Sequence, residues 1–291
     1  MSTASRFNTF LKNIKAKEEH HTDALTSVNA IARKLHGHYS NAQYTDDWRM
    51  IVGSYGKGTA ISPPRDVDLL FFLPVHEHTR YTGYRYNGQS ALLQEIKGLL
   101  LGRFPRTEIR GDGQVVVVEF STRHRVEVLP GWHRQGGGMI VPNTHNGGRW
   151  QHVDHHAEIA HIAESDARTN GNTRSLIQMM KAWQDCCSVP IKSLVLELES
   201  VAFLQTWAYA RESTVYYDWM VRDFFAELTK KANHSRLIPG TSEFKHYGDA
   251  WLSRASSAHA RAVKACQLES ESRHIEAALE WRKIFGEQYE F

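Results

Sequence analysis

Two hydrophobic rhythms divide the chain. Over the first fifty residues the apolar positions recur at helical spacing. Phe7, Phe10, Leu11 and Ile14 fall at i, i+3, i+4 and i+7, and Leu25, Val28, Ile31, Ala32 and Leu35 resume the stripe after a polar break. The pattern predicts helix, as one bent rod or two, ending near Gly37. From Trp48 the rhythm changes. Trp48–Val52 is a short apolar run halted by Gly53-Ser54; a glycine-rich stretch and Pro63-Pro64 follow, and Val67–Leu73 has the density of a strand. Thr107–Arg110 and Gln114–Phe120 flank Gly111-Asp112-Gly113, a hairpin signal with glycine where a positive φ is needed. Arg123–Leu129 reads as a further strand, stopped by Pro130-Gly131, and Gly136-Gly137-Gly138 and Gly147-Gly148 punctuate a loop region.

From about residue 155 helices dominate. Leu176, Met180 and Trp183 form a stripe, and Leu194–Ala210 is apolar almost all round, which predicts a central buried helix, although its Leu-Glu alternation also suits a strand. Ala255–Cys266 and His274–Phe285 are amphipathic, the second stopped by Gly286. The pattern is thus an α/β half followed by an all-helical half, without repeats or a low-complexity linker. At 291 residues this is one large or two modest domains.

Composition narrows the class by exclusion. Apolar residues at 41% and charged residues at 23% rule out intrinsic disorder as the main state. The longest uncharged apolar runs, such as Val115–Val118 and Leu69–Pro74, are far shorter than a membrane span, so no membrane partner is expected. The opening residues lack the apolar core of a secretory signal. Cys186 and Cys187 are adjacent and Cys266 is alone, which suits a reducing cytoplasm better than a disulfide framework. A net charge of +3 gives no argument for nucleic-acid binding. Seventeen histidines are the unusual count.

The chemistry concentrates in Gly53-Ser54-Tyr55-Gly56-Lys57-Gly58-Thr59 and the Arg65-Asp66-Val67-Asp68-Leu69-Leu70 segment after it. A Walker phosphate loop fails, because Gly58 follows Gly56-Lys57 where Ser or Thr is required and Ile51 stands at the first glycine. Asp66 and Asp68 are two residues apart on a strand, so both carboxylates project from one face. Such a pair is either a solvated strand face or a site for a divalent cation. The surroundings favour the cation. A Gly-Ser turn upstream offers N–H groups and a hydroxyl to phosphates, and Glu127, inside Val126-Glu127-Val128-Leu129-Pro130, supplies a third carboxylate for a two-metal site. Arg123, Arg125 and Glu127 alternate and share a face. Arg125 is therefore expected near the third acid, tuning it or touching a phosphate, unless it is an edge-strand arginine in solvent. His152, His155, His156 and His161 with Asp154 lack both the His-Glu-x-x-His spacing and a cysteine partner, so they read as a polar loop and helix start.

The turn, the Asp-x-Asp strand and the later acid resemble the polymerase-β-like nucleotidyltransferase superfamily, in which the third acid is usually Asp rather than Glu. Further segments narrow the resemblance. Gly147-Gly148-Arg149-Trp150, Leu176–Trp183, Ile191-Lys192-Ser193 through Leu198-Glu199, and Glu280-Trp281-Arg282-Lys283-Ile284-Phe285-Gly286 are similar, in order, to the bacterial cGAS/DncV-like nucleotidyltransferases (CD-NTases), relatives of oligoadenylate synthase that make cyclic oligonucleotide signals in anti-phage defence.

The resemblance implies an α+β fold: a two-lobed core with a mixed sheet and flanking helices, plus a C-terminal helical bundle. Residues 1–160 would form the catalytic lobe with its N-terminal helix, and 161–291 the helical lobe that closes the nucleotide cleft. It implies that Gly53 and Ser54 hold the donor's β- and γ-phosphates, that Asp66, Asp68 and Glu127 bind two Mg²⁺ (or Mn²⁺), and that Lys181 and Ser193 reach the triphosphate from across the cleft. The alternative to this role is a solvated lysine for Lys181 and a helix-capping serine for Ser193. The implied reaction joins nucleoside triphosphates, as donor and acceptor, into a cyclic di- or trinucleotide with release of pyrophosphate. The enzyme would be a cytoplasmic monomer open to regulatory protein partners. Activation by nucleic acid is not expected, because no basic run is visible. Two alternatives remain: a template-independent transferase acting on RNA, protein or a small molecule, and a non-catalytic nucleotide-binding module.

Overall fold

The computed structural model of the chain describes residues 2–63, 66–120 and 124–291; Arg65 and Arg123 lie outside the described residues. Two helices, not one bent rod, open the fold: α1 (Thr3–Ile14) and α2 (Glu18–Tyr39). A short strand, β1 (Arg49–Ile51), runs into a single helical turn, α3 (Gly53–Gly56), and then into β2 (Asp66–Phe72). Helices α4 (Val75–Thr82) and α5 (Gly88–Arg103) lead to β3 (Glu108–Asp112), β4 (Val115–Glu119) and β5 (Arg125–His133), and a hairpin of β6 (Met139–Asn143) and β7 (Arg149–Val153) follows.

The main sheet has the order β1-β2-β5-β4-β3, with β6 joined to β5 and β7 to β6. Among the described residues only β2 and β5 run parallel; the other pairs of this sheet are antiparallel. Period-two alternation sets the layers. Val67, Leu69 and Phe71 bury one face of β2 with α2 and α5, whose Leu92, Leu93, Ile96 and Leu100 are at helical spacing. Asp66 and Asp68 therefore project from the other face, which carries a smaller cluster of Val52, Leu70, Phe72 and Leu129.

Pro130-Gly131 does not stop β5, contrary to the sequence expectation. The strand continues to His133, with Pro130 opposite Phe71 and Gly131 opposite Phe72. On its other side β5 pairs with β4 up to Val128 and with β6 from Trp132. Proline sits in the gap between these two ladders, where a missing donor costs nothing.

The second half comprises α6 (His155–Arg168), α7 (Asn172–Cys186), α8 (Ser193–Thr206), α9 (Tyr217–Leu228), α10 (Leu252–Ser270) and α11 (His274–Phe285). The Leu-Glu alternation of 194–199 resolves as helix. A small hairpin, β8 (Ser235–Leu237) with β9 (Phe244–His246), interrupts the expected all-helical half; three-residue strands are too short to leave a period in the sequence. Small residues Ala255, Ala258, Ala262 and Ala265 line the buried face of α10 and let its neighbours approach closely.

The opening helix belongs to this second core. Phe7, fully buried, lies 5.2 Å from the ring centroids of both Trp281 and Tyr289, and Arg6 pairs with Glu269. Chain order groups α1 with residues 1–160, whereas its apolar face packs with the helices beyond 161. Among the described residues no helix is long and apolar enough to cross a membrane.

Candidate active site

The site is built on the junction of β1 and β2. The Val52 N–H donates to the Asp68 carbonyl at 2.9 Å, tying the turn to the acid strand. Gly53 takes a φ of +58°, and a Cβ there would lie 1.8 Å from Asp68 Oδ2. Only glycine lets the backbone approach the carboxylate so closely. Ser54 follows in the same turn. The parallel register sets Arg125 opposite Asp66 and Glu127 opposite Asp68, so the third acid stands beside the second.

The carboxylates share a strained electrostatic environment. Burial, and then the charge of Asp66, push Asp68 above the usual carboxylate range, partly offset by His155, Lys57 and Lys181. Glu127 is raised by burial and then by Asp68 and Asp66. Three carboxylates are the hard-oxygen chemistry that Mg²⁺ takes. Even so, among the described residues no three His, Cys, Asp or Glu side chains converge closely enough to hold a metal ion. Arg125 stands among the acids, its Nε 2.6 Å from Asp66 Oδ1 and its terminal nitrogen 3.1 Å from Glu127 Oε1. It is not an edge-strand arginine: β5 lies between β2 and β4.

A cavity of about 680 Å³ opens beside the acids, a volume in the ordinary range for small-molecule sites. Gly53, Ser54, Asp66 and Asp68 line one side, and Lys181 and Ser193 line the other. Glu127 does not line the cavity itself but flanks Asp68. Lys181 is buried rather than solvated: its ammonium donates to Thr59 Oγ1 and to Glu197 Oε1, each at 2.8 Å. Ser193 is not a cap, since Lys192 holds that position. It opens α8 and donates to Gln184 Oε1 at 3.0 Å.

The sequence reading gave no role to three charged residues of the cavity wall: Lys57, which lies in the glycine-rich segment, Glu158 and Glu197. Lys57 donates to Glu158 Oε2 at 2.6 Å and to Glu197 Oε2 at 2.9 Å, so Glu197 bridges Lys57 and Lys181. Burial alone would raise Glu158, but the hydrogen bond with His155 and the charge of Lys57 outweigh it and hold the acid at about 2. Burial lowers Lys57, and its two carboxylate partners more than reverse that. One signal was present: a glutamate inside a helix that is apolar all round needs a buried cation. Asp154 caps α6, accepting from the Ala157 N–H at 2.9 Å, and His155 begins that helix, 3.3 Å from Glu158.

An acid pair on a parallel strand, a third acid on its neighbour and helices across the cleft define a nucleotidyltransferase of the polymerase-β type. Comparison with known proteins narrows the class. Residues 1–166 match the Second Messenger Oligonucleotide or Dinucleotide Synthetase (SMODS) domain. A probable cyclic nucleotide synthase of Bacillus cereus (strain VD146) is 23% identical over 276 residues, covering 81% of this chain and 80% of that protein. The fold is similar to that of the Vibrio cholerae DncV cyclic AMP-GMP synthase, solved with the linear intermediate pppA(3′,5′)pG, at TM-score 0.77 and 12% identity, covering 96% of this chain and 94% of that one. CdnC of E. coli MS115-1, solved in complex with HORMA-deltaN, gives TM-score 0.72 and 16% identity, covering 99% and 98%. The chain belongs to the SMODS family of bacterial cGAS/DncV-like nucleotidyltransferases, enzymes that make cyclic oligonucleotides from nucleoside triphosphates.

Proposed function

We propose that this cleft joins two or three nucleoside triphosphates into a cyclic messenger of bacterial anti-phage (CBASS) signalling, in the cytoplasm. The close approach of the Gly53 backbone to Asp68 carries the reading, because it brings a phosphate-binding turn against an acid that serves the same nucleotide. On this reading the donor's β- and γ-phosphates lie against Gly53 and Ser54, and Lys181 and Ser193 reach them from the helical side. Lys181 is pre-positioned for this by Thr59 and Glu197, which hold its ammonium at the cavity wall. Asp66, Asp68 and Glu127 would hold two Mg²⁺, or Mn²⁺, which when bound lower the pKa of the attacking hydroxyl and neutralise charge on the leaving oxygens. An acceptor ribose hydroxyl attacks the donor α-phosphate in line, pyrophosphate leaves, and Glu127 assists the hydroxyl's deprotonation. A second round, with the linear product turned over in the cavity, closes the ring. The complex of the similar CdnC with HORMA-deltaN supports a search for a regulatory protein partner here, with the enzyme itself a monomer.

The test is incubation with labelled ATP, GTP, CTP and UTP plus Mg²⁺ or Mn²⁺, followed by phosphatase. A phosphatase-resistant small product is expected. Label found only on added RNA or protein identifies a different transferase, and absence of pyrophosphate release under every condition overturns catalysis altogether.

A further inference from the structure

We infer that Arg125 is a resident countercharge of the acid site: its guanidinium holds Asp66 and Glu127 until a divalent cation displaces it, so Arg125 sets the cation concentration at which the enzyme engages. The inference rests on the reading of Asp66, Asp68 and Glu127 as cation ligands.

Sheet geometry places the arginine. Arg125 is two residues before Glu127 on β5, and so on the same face, and in register with Asp66 on β2. Its fork spans both strands, 2.6 Å from Asp66 and 3.1 Å from Glu127. The positive charge therefore occupies the space between two of the three carboxylates that a cation would need to share.

The pair is only partly buried. The Arg125 side chain is 35% exposed and that of Asp66 39%, although the two contacting atoms, Nε and Oδ1, are themselves buried. A cation of charge +2 attracts the same carboxylates about twice as strongly as the guanidinium at equal distance, so it competes for them. A long arginine stem also lets the head swing into water without disturbing the strand. The carboxylates of Asp66 and Glu127 would pass from Arg125 to a divalent cation as it binds, with or without nucleotide, and the freed guanidinium would be left at the rim.

Mn²⁺ binding to the full chain without nucleotide, read by the electron paramagnetic resonance of free Mn²⁺, tests this. Arg125→Gln is expected to bind Mn²⁺ about tenfold tighter, the scale of one like charge removed a few ångströms away in a high-dielectric site. Arg125→Lys, which keeps the charge but loses the fork, should fall between Arg125→Gln and the native chain. The Mn²⁺ concentration for half-maximal turnover should drop in the same order, with the nucleotide KM unchanged at saturating metal. Unchanged or weaker Mn²⁺ binding by Arg125→Gln overturns the inference, as does a raised nucleotide KM without a change in metal affinity, which marks a phosphate contact instead. If the native chain binds no Mn²⁺, or Asp68→Asn binds it as the native chain does, the underlying assignment of the acids fails instead.

Discussion

At the residue scale, the position with least freedom is Gly53. A methyl group there would collide with Asp68 Oδ2 at 1.8 Å, on a backbone whose φ of +58° already disfavours a side chain. Gly53→Ala should therefore push the turn and the acid apart. The expected result is a loss of turnover of about 10³-fold, roughly 4 kcal/mol of transition-state stabilisation, with a melting temperature only slightly lowered. Steady-state kinetics and thermal unfolding together check it. Asp68 shows the opposite balance. It is buried beside Asp66 with its ionised form disfavoured, so Asp68→Asn removes a repulsion that folding has to overcome. The variant should lose activity by a similar factor yet melt at or above the native temperature in metal-free buffer; a clear drop in melting temperature would contradict this. These residues were legible because their signature is local: a glycine-serine turn, then two acids at strand spacing. Lys57, Glu158 and Glu197 were not, because their pairing joins positions 101 and 140 residues apart.

At the scale of elements, the buried ion network ties the glycine-rich loop after α3 to α6, α7 and α8. Glu158 gives it a measurable pH dependence. Its folded-state pKa is about 2, below the ordinary glutamate value, so its contribution is complete above about pH 4.3 and is lost as pH falls toward 2. That difference corresponds to a stabilisation on the order of 3 kcal/mol near neutral pH. Urea unfolding between pH 5 and 2 should show the acid loss, and Glu158→Gln should flatten that limb; an unaltered slope would remove Glu158 from the network. The elements themselves were unevenly legible. His274–Phe285 follows the amphipathic stretch and ends at Gly286, whose φ is +75°, as the stop signal implied. Passage of β5 through Pro130 was not readable, since it depends on which strands flank that proline. Periodicity likewise gave helix for the first fifty residues without saying which core each helix joins.

At the scale of the molecule, the first helix closes the last. Phe7 is sealed among Tyr217, Trp281, Phe285 and Tyr289, over two hundred residues away. Phe7→Ala should cost about 3–5 kcal/mol, the usual range for emptying a buried aromatic site. A urea titration checks the cost, and a change below about 1 kcal/mol would mean that α1 is dispensable to the helical core. The sequence by itself determined the class of elements, the acids, the turn beneath them and the family, because each is written in spacings of a few residues. Only the tertiary structure decided that Lys181 is buried on Glu197, that Arg125 stands between Asp66 and Glu127, and that α1 belongs with the helices at the other end of the chain. Those facts depend on which distant surfaces meet. Burial and ion pairing are properties of that meeting, and no short stretch of chain encodes them.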